Sequence, residues 1–196
     1  MGAALVAVVA FAACGPPAQA TDRYRRFFNW SGYRWAVRST EQRAAPGNNR
    51  WGDSKRNVRV RADRSLLVAI AGGRSVEVVG PPTGYGRYRW VVRTDLSTVD
   101  PFRVIGFFVH GTRGEQDIEF SRWGVPLLAT PGSWVSWRRS TRLGFGEFAV
   151  SAAAPYTIEI DWRVGATRFR MRDATGATLL DTTRATSGGG RQRARV

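Results

Sequence analysis

The sequence predicts an all-β protein, an antiparallel sandwich or barrel, and three observations carry that prediction. Short runs alternating apolar and polar residues recur between turn signals, the period-2 pattern of half-buried strands. Aromatic residues make up 12% of the chain, with eight Trp, and glycine contributes 22 residues, a mixture that suits sheets joined by tight turns. No stretch keeps a helical period long enough to supply the crossover helices of a parallel sheet.

Taken in order, residues 27–30 open the first strand, Ser31-Gly32 turns it, and residues 33–37 return. Residues 45–51 read as loop through Pro46-Gly47-Asn48-Asn49. Residues 58–60 and 66–70 flank the turn Ala62-Asp63-Arg64-Ser65. The strand over 75–79 is expected to break at Pro81-Pro82-Thr83-Gly84, because proline has no amide to give to a ladder. Residues 88–94 and 104–109 are long strands, and 115–120 follows the turn His110-Gly111-Thr112-Arg113-Gly114. Residues 145–150 are expected to pair with 157–162, while 167–171 and 178–180 flank Asp173-Ala174-Thr175-Gly176. The last ten residues run from glycine into arginine and read as a frayed end, and no internal repeat is visible.

At 196 residues and 21.7 kDa the chain is long enough for one domain with a sizeable core. The net charge is +15, and Lys55 is the only lysine beside 29 arginines. Those arginines are scattered and alternate with apolar residues, as in Asn57-Val58-Arg59-Val60-Arg61, which is how solvated strand faces look. Nucleic-acid binding as the primary function is set aside on that ground, whereas an anionic polysaccharide or cell envelope suits the charge. The single cysteine, Cys14, rules out an intramolecular disulfide and a cysteine-built zinc site, and no metal or cofactor is expected. Residues 1–14 are almost wholly apolar yet too short for a stable membrane span. With the small-x-small triplet Ala18-Gln19-Ala20 they read as a secretion signal over residues 1–20, ahead of one domain over 21–196. A second reading takes Phe11-Ala12-Ala13-Cys14 as a lipobox and Cys14 as a lipid anchor. The expectation is a secreted or periplasmic monomer.

Three of the 15 acids fall within five positions, Glu115, Asp117 and Glu119 in Gly114-Glu115-Gln116-Asp117-Ile118-Glu119-Phe120. Alternation puts all three on one strand face. Packed carboxyls repel, and that raises at least one pKa, leaving a protonated acid beside an ionised partner. Glycoside hydrolysis asks for such a pair, a nucleophile and an acid/base. Glu115 and Glu119 lie about 13 Å apart between Cα atoms, a gap that two long side chains can close across Asp117. Neutralisation of the acids by arginine, or an oxygen-rich calcium site, are the competing readings of the same row. Trp123 offers a ring for stacking on a sugar, and Trp30, Trp35, Trp51 and Trp90 are further candidates.

The row Glu115-Gln116-Asp117-Ile118-Glu119-Phe120 resembles the E-x-D-x-E signature of glycoside hydrolase family 16, and its extension Ser121-Arg122-Trp123-Gly124 is similar to that of small bacterial members. Phe28-Asn29-Trp30-Ser31-Gly32-Tyr33, Asn57-Val58-Arg59-Val60 and Tyr85-Gly86-Arg87-Tyr88 resemble the family's opening strand, early hairpin and cleft strand. The resemblance implies a concanavalin-like jelly roll of two curved antiparallel sheets. It also implies retaining, endo-acting cleavage of a β-linked polysaccharide, with β-glucan the first substrate; the alternative is a non-catalytic polysaccharide-binding sandwich or an inactive, truncated relative. Glu115 would be the nucleophile, Asp117 the assistant and Glu119 the acid/base, with Trp123, Trp30, Trp90 and Arg122 binding substrate. Two departures stand out. Gln116 occupies a position that is usually apolar, and the chain stops where the last strands of the family would form, so those strands are expected to be missing and the residues from 186 onward unpacked.

Overall fold

Period-2 alternation carries over into fourteen strands in a computed structural model that describes residues 23–111, 114–185 and 192–195. They are β1 (Arg23–Trp30), β2 (Tyr33–Ser39), β3 (Val58–Val60), β4 (Leu66–Val68), β5 (Val78–Thr83), β6 (Gly86–Val92) and β7 (Val104–Gly111). The second half holds β8 (Gly114–Ser121), β9 (Gly132–Arg138), β10 (Thr141–Phe148), β11 (Tyr156–Arg163), β12 (Ala166–Arg172), β13 (Thr178–Ala185) and β14 (Gln192–Arg195). No helix occurs among the described residues, and so none there is long and apolar enough to cross a membrane. The secretion-signal reading of residues 1–20, the anchor reading of Cys14, and Arg113 fall outside the described residues.

Two antiparallel sheets form the fold, an eight-stranded one in the order β1-β2-β5-β14-β7-β8-β9-β10 and a four-stranded one in the order β13-β12-β11-β6, with the hairpin β3-β4 beside them. The β-sandwich class expected from the sequence is therefore the one observed. Inward residues of both sheets meet in one apolar core. An aromatic run, Trp90–Phe107–Phe120–Phe148, crosses from β6 through β7 and β8 to β10 with ring centroids 5.6, 6.2 and 6.0 Å apart. Trp134 of β9 meets Phe169 of β12 at 5.3 Å and ties the sheets together further along. Each fully buried side chain of this size contributes about 1.5–3 kcal/mol.

Four expectations need correction. Strand β5 runs through Pro81 and Pro82 instead of ending before them. Its ladder to β2 is confined to Val78 and Val79, and the proline stretch is flanked instead by β14, with Arg193 opposite Pro82 and a register irregularity beside it. Strand β9 had no counterpart in the sequence reading. Because it exists, β10 pairs with β9, and residues 157–162 pair instead with β6 and β12. Finally, the end of the chain is not without partners. Residues 192–195 lie in the middle of the large sheet, pairing with β5 on one side and β7 on the other.

Candidate active site

Strand β8 starts at Gly114, where a Cβ would sit 2.3 Å from the Trp137 carbonyl oxygen, so the close approach of β8 to β9 requires a residue without one. From there the strand alternates strictly. Ile118 and Phe120 belong to the core between the sheets, and the neighbouring odd positions turn Glu115, Asp117 and Glu119 to the opposite face. The register fixes their neighbours. Glu115 lies opposite His110 of β7 and Trp137 of β9, Asp117 opposite Phe108 and Val135, and Glu119 opposite Gly106 and Ser133. Asp117 and Glu119 are buried, at 1% and 5% exposure, while the Glu115 side chain keeps 30%.

Burial first, then the negative charge of Glu115, raises Asp117 and Glu119 well above the usual carboxylate range; Glu119 adds its own repulsion to Asp117. Neither Asp117 oxygen meets a donor among the described residues. A buried carboxylate with no donor is costly, and that cost, with the repulsion of its neighbours, favours the protonated form of Asp117. The row thus holds one partly exposed acid and two buried ones that retain protons to higher pH.

A second row of alternating acids shows what the arginine-neutralised alternative looks like. On β11, Glu159 lies opposite Arg89 and Arg170, and Asp161 opposite Arg87 and Arg168. Arg170 reaches Glu159 at 2.8 Å and Arg163 reaches Asp161 at 2.6 Å. The Arg163 hydrogen bonds pull Asp161 below the usual range. The register partners of Asp117 and Glu119 carry no charge, so the same spacing yields the opposite electrostatics.

Trp123 stands 49% exposed, two residues beyond Ser121 at the Glu119 end of the row. Its φ of 48° and that of Gly124 at 80° turn the chain sharply there, and the Trp123 amide donates to Ser121 Oγ at 3.1 Å. Arg122, expected to touch substrate, has its guanidinium committed to loop carbonyls, donating to Ser97 O at 2.5 Å and to Pro126 O. It braces the turn that carries Trp123. Trp30 and Trp90 do not reach the acid row. Both are core residues on the inter-sheet side, Trp30 donating its indole N–H to Arg64 O at 2.8 Å and Trp90 packing on Phe107. Trp35 and Trp51 are buried as well, Trp51 beneath the Arg38 guanidinium at 4.5 Å.

Two residues beside the row escaped the sequence reading. His110, the only histidine, places Nε2 3.5 Å from Glu115 Oε2. Trp137, partly exposed, lies directly across from Glu115. The one signal for His110 was its uniqueness, and it was assigned to a turn that the longer β7 absorbs. Trp137 had none, because its face depends on the pairing of β9. Gln116, as expected, points between the sheets, 3% exposed, with Oε1 unpartnered and Ser136 opposite in the same condition.

No protein-family model matches the chain, and no curated protein matches it either.

Proposed function

We propose that the protein is a retaining, endo-acting glycosidase of the family 16 type, and the observation that carries this reading is the split within the acid row. Glu119 is buried and holds its proton, as a general acid must. Glu115, with 30% of its side chain exposed, is the better placed of the two to serve as the nucleophile. In the first step a Glu115 oxygen attacks the anomeric carbon, the glycosidic C–O bond breaks, and the Glu119 proton goes to the departing oxygen. In the second, Glu119, now a carboxylate, takes a proton from water. That water's oxygen attacks the anomeric carbon and releases Glu115.

The charge count supports this cycle. Glu115 loses its charge on forming the ester as Glu119 gains one, so the row carries a constant charge through the first step. Because the Glu115 anion is one cause of the raised Glu119 pKa, its loss makes Glu119 a stronger acid as the proton leaves. Trp137 beside Glu115 and Trp123 beyond Glu119 flank the row, with about 20 Å of strand between positions 115 and 121. That spacing favours a substrate running past the row in both directions, hence internal cleavage of an unbranched β-linked polysaccharide, with β-1,3- or mixed-linkage glucan first. The apolar residues 1–20 fit export, and we take the working enzyme to be a secreted or periplasmic monomer.

The test is a hydrolysis screen on laminarin, lichenan, xyloglucan, agarose and carrageenan, with Glu119→Gln and Glu115→Gln as controls. Glu119→Gln should abolish polymer cleavage while sparing activated aryl glycosides, which need no proton on the leaving group. Glu115→Gln should abolish both, and the first-formed product should keep the β configuration. Unchanged polymer cleavage in Glu119→Gln, or an inverted product, refutes the reading.

A further inference from the structure

A cavity of about 620 Å³ lies away from the acid row, along β6. Every residue from 85 to 91 lines it, although Tyr88 and Trp90 face the core while Arg87 and Arg89 face outward. A cavity over one sheet face would touch alternate residues. One that touches all of them runs along the backbone edge. Strand β6 is the last strand of the four-stranded sheet, and among the described residues it pairs only with β11. The far wall of the cavity is Trp30, Tyr33 and Trp35 of the large sheet, with the two indole rings 5.6 Å apart and Tyr33 55% exposed.

We propose that this edge is a docking site for an extended peptide of a partner protein, in which apolar residues alternate with acidic ones, added to β6 as a fifth strand of the small sheet. The pattern is read from the strand β6 already accepts. Across the β6–β11 ladder, Ile158, Ile160 and Trp162 turn inward opposite Trp90, Tyr88 and Gly86, while Glu159 and Asp161 turn outward opposite Arg89 and Arg87. An incoming strand meets the same alternation from the other side. Its inward residues meet the half-exposed Tyr33 beside the buried Trp30 and Trp35, and its outward residues face Arg87 and Arg89, each held only loosely by an acid of β11 at 3.9 and 3.7 Å, in a lining that contains no acid. A second copy of β6 does not fit, because antiparallel pairing would bring arginines opposite arginines. The apolar residues 1–14 contain no acid and lack the outward half of the pattern. The inference does not depend on the glycosidase reading.

The experiment uses the full chain and a capped, labelled peptide, Thr-Ile-Glu-Ile-Asp-Trp, the sequence of residues 157–162. Fluorescence anisotropy should show saturable one-to-one binding, and hydrogen exchange should show new protection of β6 amides. Replacing the two peptide acids with arginine should weaken binding about tenfold. N-methylation of alternate peptide amides should abolish binding in one phase and spare it in the other, since only one edge of the added strand meets β6. On the protein side, the double variant Arg87→Gln, Arg89→Gln should bind more weakly, with thermal unfolding confirming that it folds. Absence of binding, indifference to the N-methyl phase, or protection outside β6 overturns the proposal. So does protection of β6 by laminarin oligosaccharides in place of the peptide, or by dimerisation of the chain alone.

Discussion

Neutralising the buried acids should remove a pH dependence of folding stability that the native row imposes. In the unfolded chain Asp117 and Glu119 titrate near their ordinary values of 3.8 and 4.5, and folding raises both well above those values, burial being the largest cause. Above about pH 5 the unfolded chain has released both protons while the folded chain still holds them. The unfolded state then binds fewer protons, and the free energy of unfolding falls as pH rises, until pH passes the folded values. Each retained proton accounts for about 1.4 kcal/mol per pH unit, so the two together give a slope of at most about 2.7 kcal/mol per unit. For a domain of this size that corresponds to a melting temperature falling by roughly 5–10 °C per pH unit. Circular dichroism melts from pH 5 to 8 at constant ionic strength measure it. The Glu119→Gln variant should show about half the slope and the Asp117→Asn, Glu119→Gln double variant none, with the double variant the most stable of the three at pH 8. The arginine- and hydroxyl-paired acids act in another window. Hydrogen bonds from Ser65 pull Asp63 down to about 2, and Asp161, Asp173 and Asp181 are also held low. Their contribution is present above the unfolded pKa and lost as pH falls through the folded values, below about pH 4, in all variants alike. A native melting temperature that stays level or rises between pH 5 and 8, or a slope that survives in the double variant, refutes the reasoning.

Replacing Gln116 and Ser136 together by Leu and Ala should raise stability by about 1–3 kcal/mol in chemical denaturation, because two unpartnered polar groups leave the space between the sheets. A lower denaturation midpoint would show that the pair is satisfied in solution. Gly114→Ala should cost about 1–3 kcal/mol, since the added methyl meets the Trp137 carbonyl and only backbone movement relieves it; an unchanged melting temperature would show that β8 and β9 can part there without loss. Arg38→Ala should cost about 3–5 kcal/mol, measured by denaturant unfolding, because Glu77 is left buried without its 2.9 Å partner and Trp51 loses the guanidinium packed on it. A cost under about 1 kcal/mol would place Glu77 in water.

Alternation and turn chemistry act locally, and what they dictate is legible from the residues alone. The class of fold, the hairpin Val58–Val60 with Leu66–Val68, and the shared face of Glu115, Asp117 and Glu119 all follow from a side-chain period of two, which needs no knowledge of neighbours. Tertiary structure decided everything that depends on which strand lies alongside. Trp30, Trp90 and Trp137 are alike in sequence; pairing and burial send the first two into the core and leave the third beside Glu115. Acid rows on β8 and β11 share their spacing and are both largely buried, and only the arginines that the register brings opposite β11 make one an ion-pair lattice and leave the other a row of raised pKa. The proline pair belongs to a strand because β14 lies alongside it where the ladder to β2 has ended, and residues 192–195 become a central strand because β5 and β7 leave room for them. Backbone pairing between residues about eighty positions or more apart leaves no trace in local composition, since the hydrogen-bonding groups that make it are the same in every residue but proline.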